Sequence, residues 1–209
     1  MAAYELHVIS NGRQDWTAMS AIAVNIQPYV TAIHLREKSR PVEEMMKGLQ
    51  ILLAAGVAAK RVYINGHPSL AAAALLGGTH LQGSSPPLPD IRETDDLGSV
   101  RTGVSVHSVE EAVQREKEGA DYLMFGHIFT TDSKPGLAPR GLEQLRELTA
   151  NVKIPVIAIG GITPERVNPV LEAGASGVAV MSGIWDAENP LQAVKAYADE
   201  LKIIGGNDR

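Results

Sequence analysis

A chain of 209 residues with 44% hydrophobic residues and no cysteine excludes disulfides, thiolate zinc sites and a cysteine nucleophile. A net charge of −5 and the absence of any run of Lys or Arg argue against binding to nucleic acid or to a membrane surface. The sequence shows no signal-peptide pattern and no apolar run of about 18 residues. We therefore expect a cytoplasmic enzyme without a nucleic-acid or membrane partner.

Short β-rich runs alternate with helical segments along the whole chain. Because eight parallel strands with intervening helices close into a barrel, the pattern predicts a single (β/α)8 TIM barrel domain over residues 1–209. The competing doubly wound fold needs a glycine-rich dinucleotide turn after an early strand, and none is present. The predicted strands are Leu6–Ser10, Thr31–Arg36, Arg61–Asn65, Thr79–Gln82, Arg101–Val106, Tyr122–Gly126, Pro155–Gly160 and Gly177–Ser182.

Local start and stop signals indicate helices between these strands. Ser108 followed by Glu111 forms a capping box that opens the helix after the fifth strand. Gly119 and Gly174 end helices in the matched phrases EKEGADYLMFG and VLEAGASGVAV, a weak repeat of one βα unit. The segment 83–98 is rich in proline and acidic residues, and it predicts a missing or distorted fourth helix.

The segment 154–185 carries two turns built from small residues at the ends of the last two predicted strands. Glycine in such a turn lets the backbone approach a ligand closely. In (β/α)8 barrels the turns after the last two strands hold phosphate groups. We therefore predict that a small phosphate ester binds at Gly160, Gly161, Ser182 and Gly183.

His127 is the predicted catalytic residue. It directly follows the sixth strand, in GHIFTTDSK, at the end of the barrel where active sites lie. An imidazole has an ordinary pKa of roughly 6.5, so it can both take and give a proton near neutral pH. The alternative is a histidine that only supports its loop through hydrogen bonds, and position alone does not separate the two.

The other histidines divide by their position in the predicted strands. His7 and His80 lie inside strands, which is typical of core groups with satisfied hydrogen bonds. Those near strand ends, where they can line a pocket, are His34, His67 and His107. Neither a His-x-His pair nor a matching set of carboxylates accompanies them, so no metal site is predicted.

Two cations follow the second strand, in HLREK. If Arg36 and Lys38 both face the mouth of the barrel, they form a clamp for a phosphate or carboxylate. The alternative is a solvated pair of cations at the rim with Glu37, and the glycine turns of the last two strands favour the clamp. Further predicted hydrogen-bonding residues of the pocket are Asn65, Ser105, Thr131, Ser133 and Lys134.

Five phrases in order, HLREK, GVSVHS, GHIFTTDSK, IPVIAIGGITPERV and GVAVMSGI, resemble the thiamine phosphate synthase superfamily. The resemblance runs over nearly the whole chain. It is closer to the TenI-type thiazole tautomerase, because the synthase holds Mg²⁺ with aspartates that this chain lacks. Asn65 is followed by glycine where the synthase has aspartate, and Gln82 by Gly-Ser-Ser where an aspartate comes soon after. His127 stands where the synthase has proline.

The resemblance implies a metal-independent tautomerase without a cofactor, in which one proton moves and a carboxylated thiazole phosphate becomes aromatic. The family's catalytic histidine corresponds to His127 through the shared Gly-His-aliphatic-Phe phrase. A homodimer is common among barrels of this family. The alternatives are a thiamine phosphate synthase, which joins a pyrimidine diphosphate to a thiazole phosphate, and a regulator that binds thiazole phosphate without catalysis.

Overall fold

Eight parallel strands pair in chain order and close into a barrel in the computed structural model, which describes residues 4–202. β1 pairs with β2 on one side and with β8 on the other, so the sheet closes on itself. All eight predicted strands are present, with ends that differ by at most two residues, and the predicted TIM barrel is confirmed. The strands are β1 Glu5–Ile9, β2 Ala32–Leu35, β3 Val62–Asn65, β4 Gly78–Leu81, β5 Arg101–Val106, β6 Tyr122–Gly126, β7 Val156–Ile159 and β8 Gly177–Val180.

Helices follow each strand and surround the barrel. They are α1 Trp16–Ile26, α2 Val42–Ala54, α3 Pro68–Ala73, α4 Leu88–Thr94, α5 Val109–Lys117, α6 Gly141–Asn151, α7 Val167–Glu172, α8 Ser182–Trp185 and α9 Pro190–Glu200. Within residues 4–202, short 3₁₀ segments add to them at Gln27–Tyr29, Ala59–Arg61 and Pro164–Arg166.

The fourth helix is present, and the prediction of a missing or distorted one was wrong. α4 has seven residues and buries Leu88 and Ile91 against the barrel. Prolines stand at its N-terminus, where they fix a helical φ angle and where the missing N–H costs no hydrogen bond. The prolines of this segment therefore start a short helix instead of preventing one.

The predicted start of α5 and the predicted ends of α5 and α7 are confirmed. The Ser108 side chain accepts a hydrogen bond from the backbone N–H of Glu111 at 3.2 Å. The Glu111 carboxylate in turn accepts from the N–H of His107 at 2.7 Å. Gly119 and Gly174 have φ angles of +88° and +93°, the left-handed conformation that ends a helix.

The side chains of each strand alternate between two cores. Residues such as Leu6, Val8 and Ile33 point outward and pack with the helices. The inward residues form a second, smaller cluster inside the barrel, which includes Tyr63 and Tyr122. Among these rings lie the buried side chains of His7, His34 and His80.

Two glycines make room for the tyrosine rings inside the barrel. A Cβ atom at Gly78 would lie 2.2 Å from the ring of Tyr63, and one at Gly103 would lie 2.0 Å from the ring of Tyr122. The barrel interior is therefore filled at this level by large polar rings set against small residues. This arrangement carries hydrogen-bonding groups through the centre of the barrel toward the carboxyl ends of the strands.

Within residues 4–202, no helix combines the length and apolar character needed to cross a bilayer. The ends of the predicted domain, residues 1–3 and 203–209, lie outside the described part of the chain. The cytoplasmic location, the homodimer and the lack of a nucleic-acid partner stay predictions.

Candidate functional site

The carboxyl ends of the strands surround a mouth with two adjoining lobes. One lobe, of about 1010 Å³, lies over β2 to β5 and is called here the β2–β5 lobe. The other, of about 450 Å³, lies over β6 to β8 and β1 and is called the β6–β8 lobe. The residues shared by both are Arg36, Asn65, His80, Ser105, His107 and Lys134. The lobes thus form one site with a common polar and cationic wall.

The structure brings nearly all the predicted site residues to this mouth. Arg36, Asn65, Ser105 and Lys134 line both lobes, and Lys38 lines the β2–β5 lobe. The predicted residues that line the β6–β8 lobe alone are His127, Thr131, Ser133, Gly160, Gly161 and Ser182. Gly183 does not line either lobe, because the start of α8 turns it toward Tyr197, whose Oη lies 2.7 Å from the position of a Cβ.

The glycine turn after β7 packs tightly against the segment that follows β6. Gly160 and Gly161 have φ angles of +102° and +65°, which favour glycine. A Cβ atom at Gly160 would lie 2.3 Å from the Cβ of His127, and one at Gly161 would lie 2.4 Å from the carbonyl oxygen of Thr130. The two glycines therefore allow two backbone segments to meet at the edge of the β6–β8 lobe.

His127 is held at the mouth by its own loop. Its Nε2 lies 3.3 Å from the carbonyl oxygen of Leu137, to which it donates. Arg140 closes this loop, because its backbone N–H donates to the His127 carbonyl and its Nε donates to the Gly126 carbonyl, both at 2.9 Å. When Nε2 carries the proton of the neutral ring, Nδ1 is free to accept a hydrogen bond.

Glu37 turns away from the cations beside it in the sequence. Its carboxylate is buried, accepts from Ser10 Oγ at 2.5 Å and forms an ion pair with Arg40 at 2.9 Å. A solvated rim group of Arg36, Glu37 and Lys38 is thus excluded. The positive charges of Arg36 and Lys38 remain available to an anion in the mouth.

Sequence reasoning missed three residues of this site. Arg13 lines the β6–β8 lobe and forms an ion pair with Asp186 at 3.3 Å. Arg40 lines the β2–β5 lobe, and His80 lines both lobes although it was expected only in the core. The signal for Arg13 was its place directly after β1, in the phrase SNGR. His80 fits its predicted role as well, since it is buried and hydrogen bonded.

The histidines inside the barrel are held neutral by their surroundings. Burial, with smaller contributions from the neighbouring His7 and Arg36, lowers the pKa of His80 to about 3. Burial likewise lowers the pKa of His34 well below its ordinary value and lowers that of His7, which Glu5 partly offsets. His80 lies 2.8 Å from Ser105 Oγ through Nε2 and 3.1 Å from the Tyr122 hydroxyl through Nδ1. Neutral imidazoles thus support the floor of the mouth.

The donor set of the mouth does not fit a divalent cation. No group of three or more His, Asp or Glu side chains suited to a metal occurs among the residues that the structure describes. The two carboxylates that line the β2–β5 lobe are already engaged, Glu37 with Arg40 and Glu111 with the N–H of His107. Mg²⁺ prefers carboxylate oxygens, and this site offers cations instead.

The sequence matches a known protein family over most of its length. Residues 6–184 match the family model described as thiamine monophosphate synthase. The chain belongs to this family. The thiamine-phosphate synthase of Moorella thermoacetica is 39% identical over 168 residues, which cover 79% of each chain. That of Pyrococcus horikoshii is 33% identical over 203 residues, which cover 97% of each chain.

A solved structure agrees with this assignment to the thiamine monophosphate synthase family. Thiamine phosphate pyrophosphorylase from Pyrococcus furiosus superposes on this chain with a TM-score of 0.78 at 30% identity. The match covers 95% of this chain and 96% of that one.

The relatives correct the activity predicted from the sequence. The motifs that indicated the superfamily are confirmed, but the closer likeness to the TenI-type tautomerase is not. Relatives that are 32–39% identical are named thiamine-phosphate synthase, which is a transferase. The predicted tautomerase, and with it the isomerase class, is therefore wrong. The missing aspartates and the histidine at position 127 are local differences, whereas the likeness to the family extends over residues 6–184.

Proposed function

We propose that this chain is a transferase of the thiamine-phosphate synthase type, which joins a pyrimidine diphosphate to a thiazole phosphate and releases pyrophosphate. The observation that carries the proposal is the division of one mouth into two lobes with a shared polar wall. A reaction between two anionic substrates needs two anion sites that open onto a common space. The names of the relatives support the same assignment.

The β6–β8 lobe suits the phosphate ester of the thiazole half. Its edge is formed by Gly160 and Gly161, with Ser182 at the start of α8 beside them. A turn without side chains lets backbone groups approach a phosphate closely, as in other barrels of this fold. We expect Thr131 and Ser133 to add hydroxyl groups from the loop after β6.

The β2–β5 lobe suits the diphosphate of the pyrimidine half. Arg36, Lys38 and Lys134 line it, and among the described residues none of them forms an ion pair with the two carboxylates of this lobe, since Glu37 pairs with Arg40 and Glu111 accepts from the N–H of His107. In the reaction, the bond between the pyrimidine half and a diphosphate oxygen breaks, and a bond to the thiazole half forms. The electron pair of the broken bond leaves with pyrophosphate, and cations beside that leaving group lower the barrier.

In the proposed reaction, the residues of the mouth do not hold Mg²⁺. The synthase that this chain resembles uses aspartates for the metal, and the ends of β3 and β4 here carry Asn65-Gly66 and Gln82-Gly83. Because the available donors do not fit the ion, we assign charge neutralisation of the diphosphate to Arg36, Lys38 and Lys134 alone.

The test is the release of pyrophosphate from the two phosphorylated halves, measured together with the formation of thiamine phosphate. Each half alone, and a reaction without enzyme, are the controls, and each condition is run with Mg²⁺ and with EDTA. We expect both products to form in equal amounts only when both halves are present. Tight binding of both halves without either product would overturn the transferase and indicate a binding protein.

A further inference from the structure

A series of buried and partly buried hydrogen bonds joins the base of the barrel to Asn65 at the mouth. At the base, Arg101 donates to both carboxylate oxygens of Glu5, at 2.6 and 2.9 Å. His7 Nε2 lies 3.0 Å from Glu5 Oε2, and His7 Nδ1 lies 2.9 Å from His34 Nε2. His34 Nδ1 lies 3.0 Å from the side-chain amide of Asn65. Each ring nitrogen of His7 and of His34 thus faces one partner in this series of hydrogen bonds.

The Glu5 carboxylate at the base determines which atom donates and which accepts in each hydrogen bond above it. Glu5 is ionised because it accepts two hydrogen bonds from Arg101, and a carboxylate has no proton to give. His7 Nε2 therefore carries a proton, and its neutral ring leaves Nδ1 bare. That bare nitrogen accepts from His34 Nε2–H, so His34 Nδ1 is bare in turn.

A bare Nδ1 on His34 requires a donor from Asn65, and the only donor of that side chain is its NH₂ group. Oδ1 occupies the position 3.0 Å from His34. The two ends of a carboxamide have the same shape, so a half-turn of the side chain exchanges them and hydrogen bonding decides the orientation. With the NH₂ group on His34, the carbonyl oxygen of Asn65 faces the mouth.

The surroundings of the two rings favour this neutral arrangement over a charged one. His7 packs against Tyr63, Tyr122 and His34, and its charged neighbours are the Glu5–Arg101 pair. Burial lowers the pKa of His7, and Glu5 only partly offsets this. His34 faces His7, His80 and Tyr63, none of which is anionic. An imidazolium at His34 would have no anion beside it, and one at His7 would share the Glu5 carboxylate with Arg101, so either would add net positive charge to the barrel interior.

We propose that His7 and His34 are positioning residues that fix the side chain of Asn65, so that its carbonyl oxygen accepts a hydrogen bond from an N–H group of the ligand. Asn65 lines both lobes, so this oxygen lies where the two substrates meet. The site then selects a ring that carries an N–H donor over one that presents only acceptors. This recognition rests on the proposed function, whereas the proton arrangement does not.

The proton arrangement is tested by two-bond ¹H–¹⁵N spectra of the full chain with ¹⁵N-labelled imidazoles. The chain has six histidines, and His67→Gln, His107→Gln and His127→Gln remove the signals of three of them, so that His7, His34 and His80 remain to be assigned. We expect His7 and His34 to carry protons on Nε2 only at neutral pH. A proton on Nδ1 of His34, or a doubly protonated His7, would overturn the proposal.

Asn65→Asp tests whether Asn65 and His34 are linked as stated. A carboxylate cannot donate to His34 Nδ1, so we expect His34 to gain an Nδ1 proton in this variant, with a large change in its ¹⁵N shifts. Ser105→Ala is the matched control, because Ser105 contacts His80 and not His34. Unchanged His34 signals in Asn65→Asp would contradict the link.

A binding experiment tests the recognition of an N–H donor. The probes are 4-aminopyrimidine and unsubstituted pyrimidine, each titrated against the chain in the presence of saturating inorganic pyrophosphate. We expect the amino compound to bind about fivefold more tightly, as for one neutral hydrogen bond. Asn65→Ala should abolish this preference, because it removes the carbonyl oxygen that accepts from the amino group. Equal binding of both probes with the expected histidine protons would overturn the recognition role alone and leave the transferase untouched.

Discussion

Gly160 lies so close to His127 that a Cβ atom on the glycine would stand 2.3 Å from the Cβ of the histidine. This contact joins the turn after β7 to the loop after β6, and both line the β6–β8 lobe. Because Gly160 has no side chain, His127 can take its position beside the turn. The shape of the predicted phosphate turn depends on the same glycine.

Replacing Gly160 with alanine should damage the phosphate site as well as the fold. The φ angle of +102° already disfavours alanine, at a cost on the order of 1–2 kcal/mol. The contact with His127 adds overpacking, roughly 1–3 kcal/mol more. We expect a loss of stability in urea unfolding and at least tenfold weaker binding of inorganic phosphate.

Gly56→Ala is the control for that substitution. Gly56 has a φ angle of +100°, and no atom lies within 4 Å of the position of its Cβ. It should therefore show the backbone cost without the steric one, and phosphate affinity should stay near that of the unchanged protein. Equal losses in both variants would mean that the contact between Gly160 and His127 has no role of its own.

Two substitutions of His127 separate its two ring nitrogens. Glutamine places an amide near the Nε2 position and can keep the bond to the Leu137 carbonyl, whereas asparagine places one near Nδ1. If His127 is catalytic through Nδ1, His127→Gln should lower kcat by about 10²-fold with little change in substrate affinity. His127→Asn should retain more activity if Nδ1 only accepts a hydrogen bond, and should lose as much if Nδ1 carries a proton, because an amide cannot exchange one. Steady-state pyrophosphate release measures both, and near-normal kcat in His127→Gln would leave the histidine as a loop support.

The architecture and the position of the site could be predicted because both depend on local patterns. Short apolar runs between helix signals predict strands, and the barrel rule places the residues after each strand at the mouth. His127, Asn65 and Lys134 were found in this way. The fourth helix was not, since the prolines of segment 83–98 serve as helix starts only when Leu88 and Ile91 have a barrel to pack against.

The contacts that set the chemistry of the mouth depend on register between distant residues. Glu37 stands between two cations in the sequence, yet it pairs with Ser10 Oγ, which lies 27 positions away. His7 and His34 are likewise 27 positions apart and meet only because β1 and β2 are neighbours in the closed sheet. No periodicity in the sequence indicates either pair, so the engaged carboxylate and the histidine chain required the structure.

Lys134 should contribute charge to the diphosphate site. It lies on the loop after β6 and lines both lobes. Lys134→Met should weaken the binding of inorganic pyrophosphate about tenfold at low ionic strength, and the loss should shrink as salt screens the charge. Isothermal titration at two salt concentrations measures both effects.

Lys153→Met makes the same charge change at the opposite end of the barrel, just before β7. If Lys134 acted only through long-range attraction, both variants should lose pyrophosphate affinity to a similar degree. A specific contact predicts that only Lys134→Met loses affinity. Equal effects would remove Lys134 from the site.

The buried histidines should make the protein sensitive to mild acid. Burial lowers the pKa of His80 to about 3, and the pKa values of His7 and His34 are also lowered. In the unfolded chain these histidines have the ordinary pKa of roughly 6.5, so they bind protons at pH values at which they stay neutral in the folded chain. The stability from neutral histidines is therefore complete above about pH 6.5 and is lost as the pH falls from there toward 3.

Urea unfolding at pH 7.5 and 5.5 measures this loss. Each histidine that stays neutral in the folded state should lower the free energy of unfolding by about 1.4 kcal/mol over that interval. His80→Gln removes one such group, so its loss should be smaller by about 1.4 kcal/mol, whatever its stability at pH 7.5. His107→Gln is the control, because His107 is exposed at the mouth and should leave most of the loss in place. A stability that does not change between the two pH values would mean that the barrel interior accepts protons, and the neutral assignment of its histidines would fall with it.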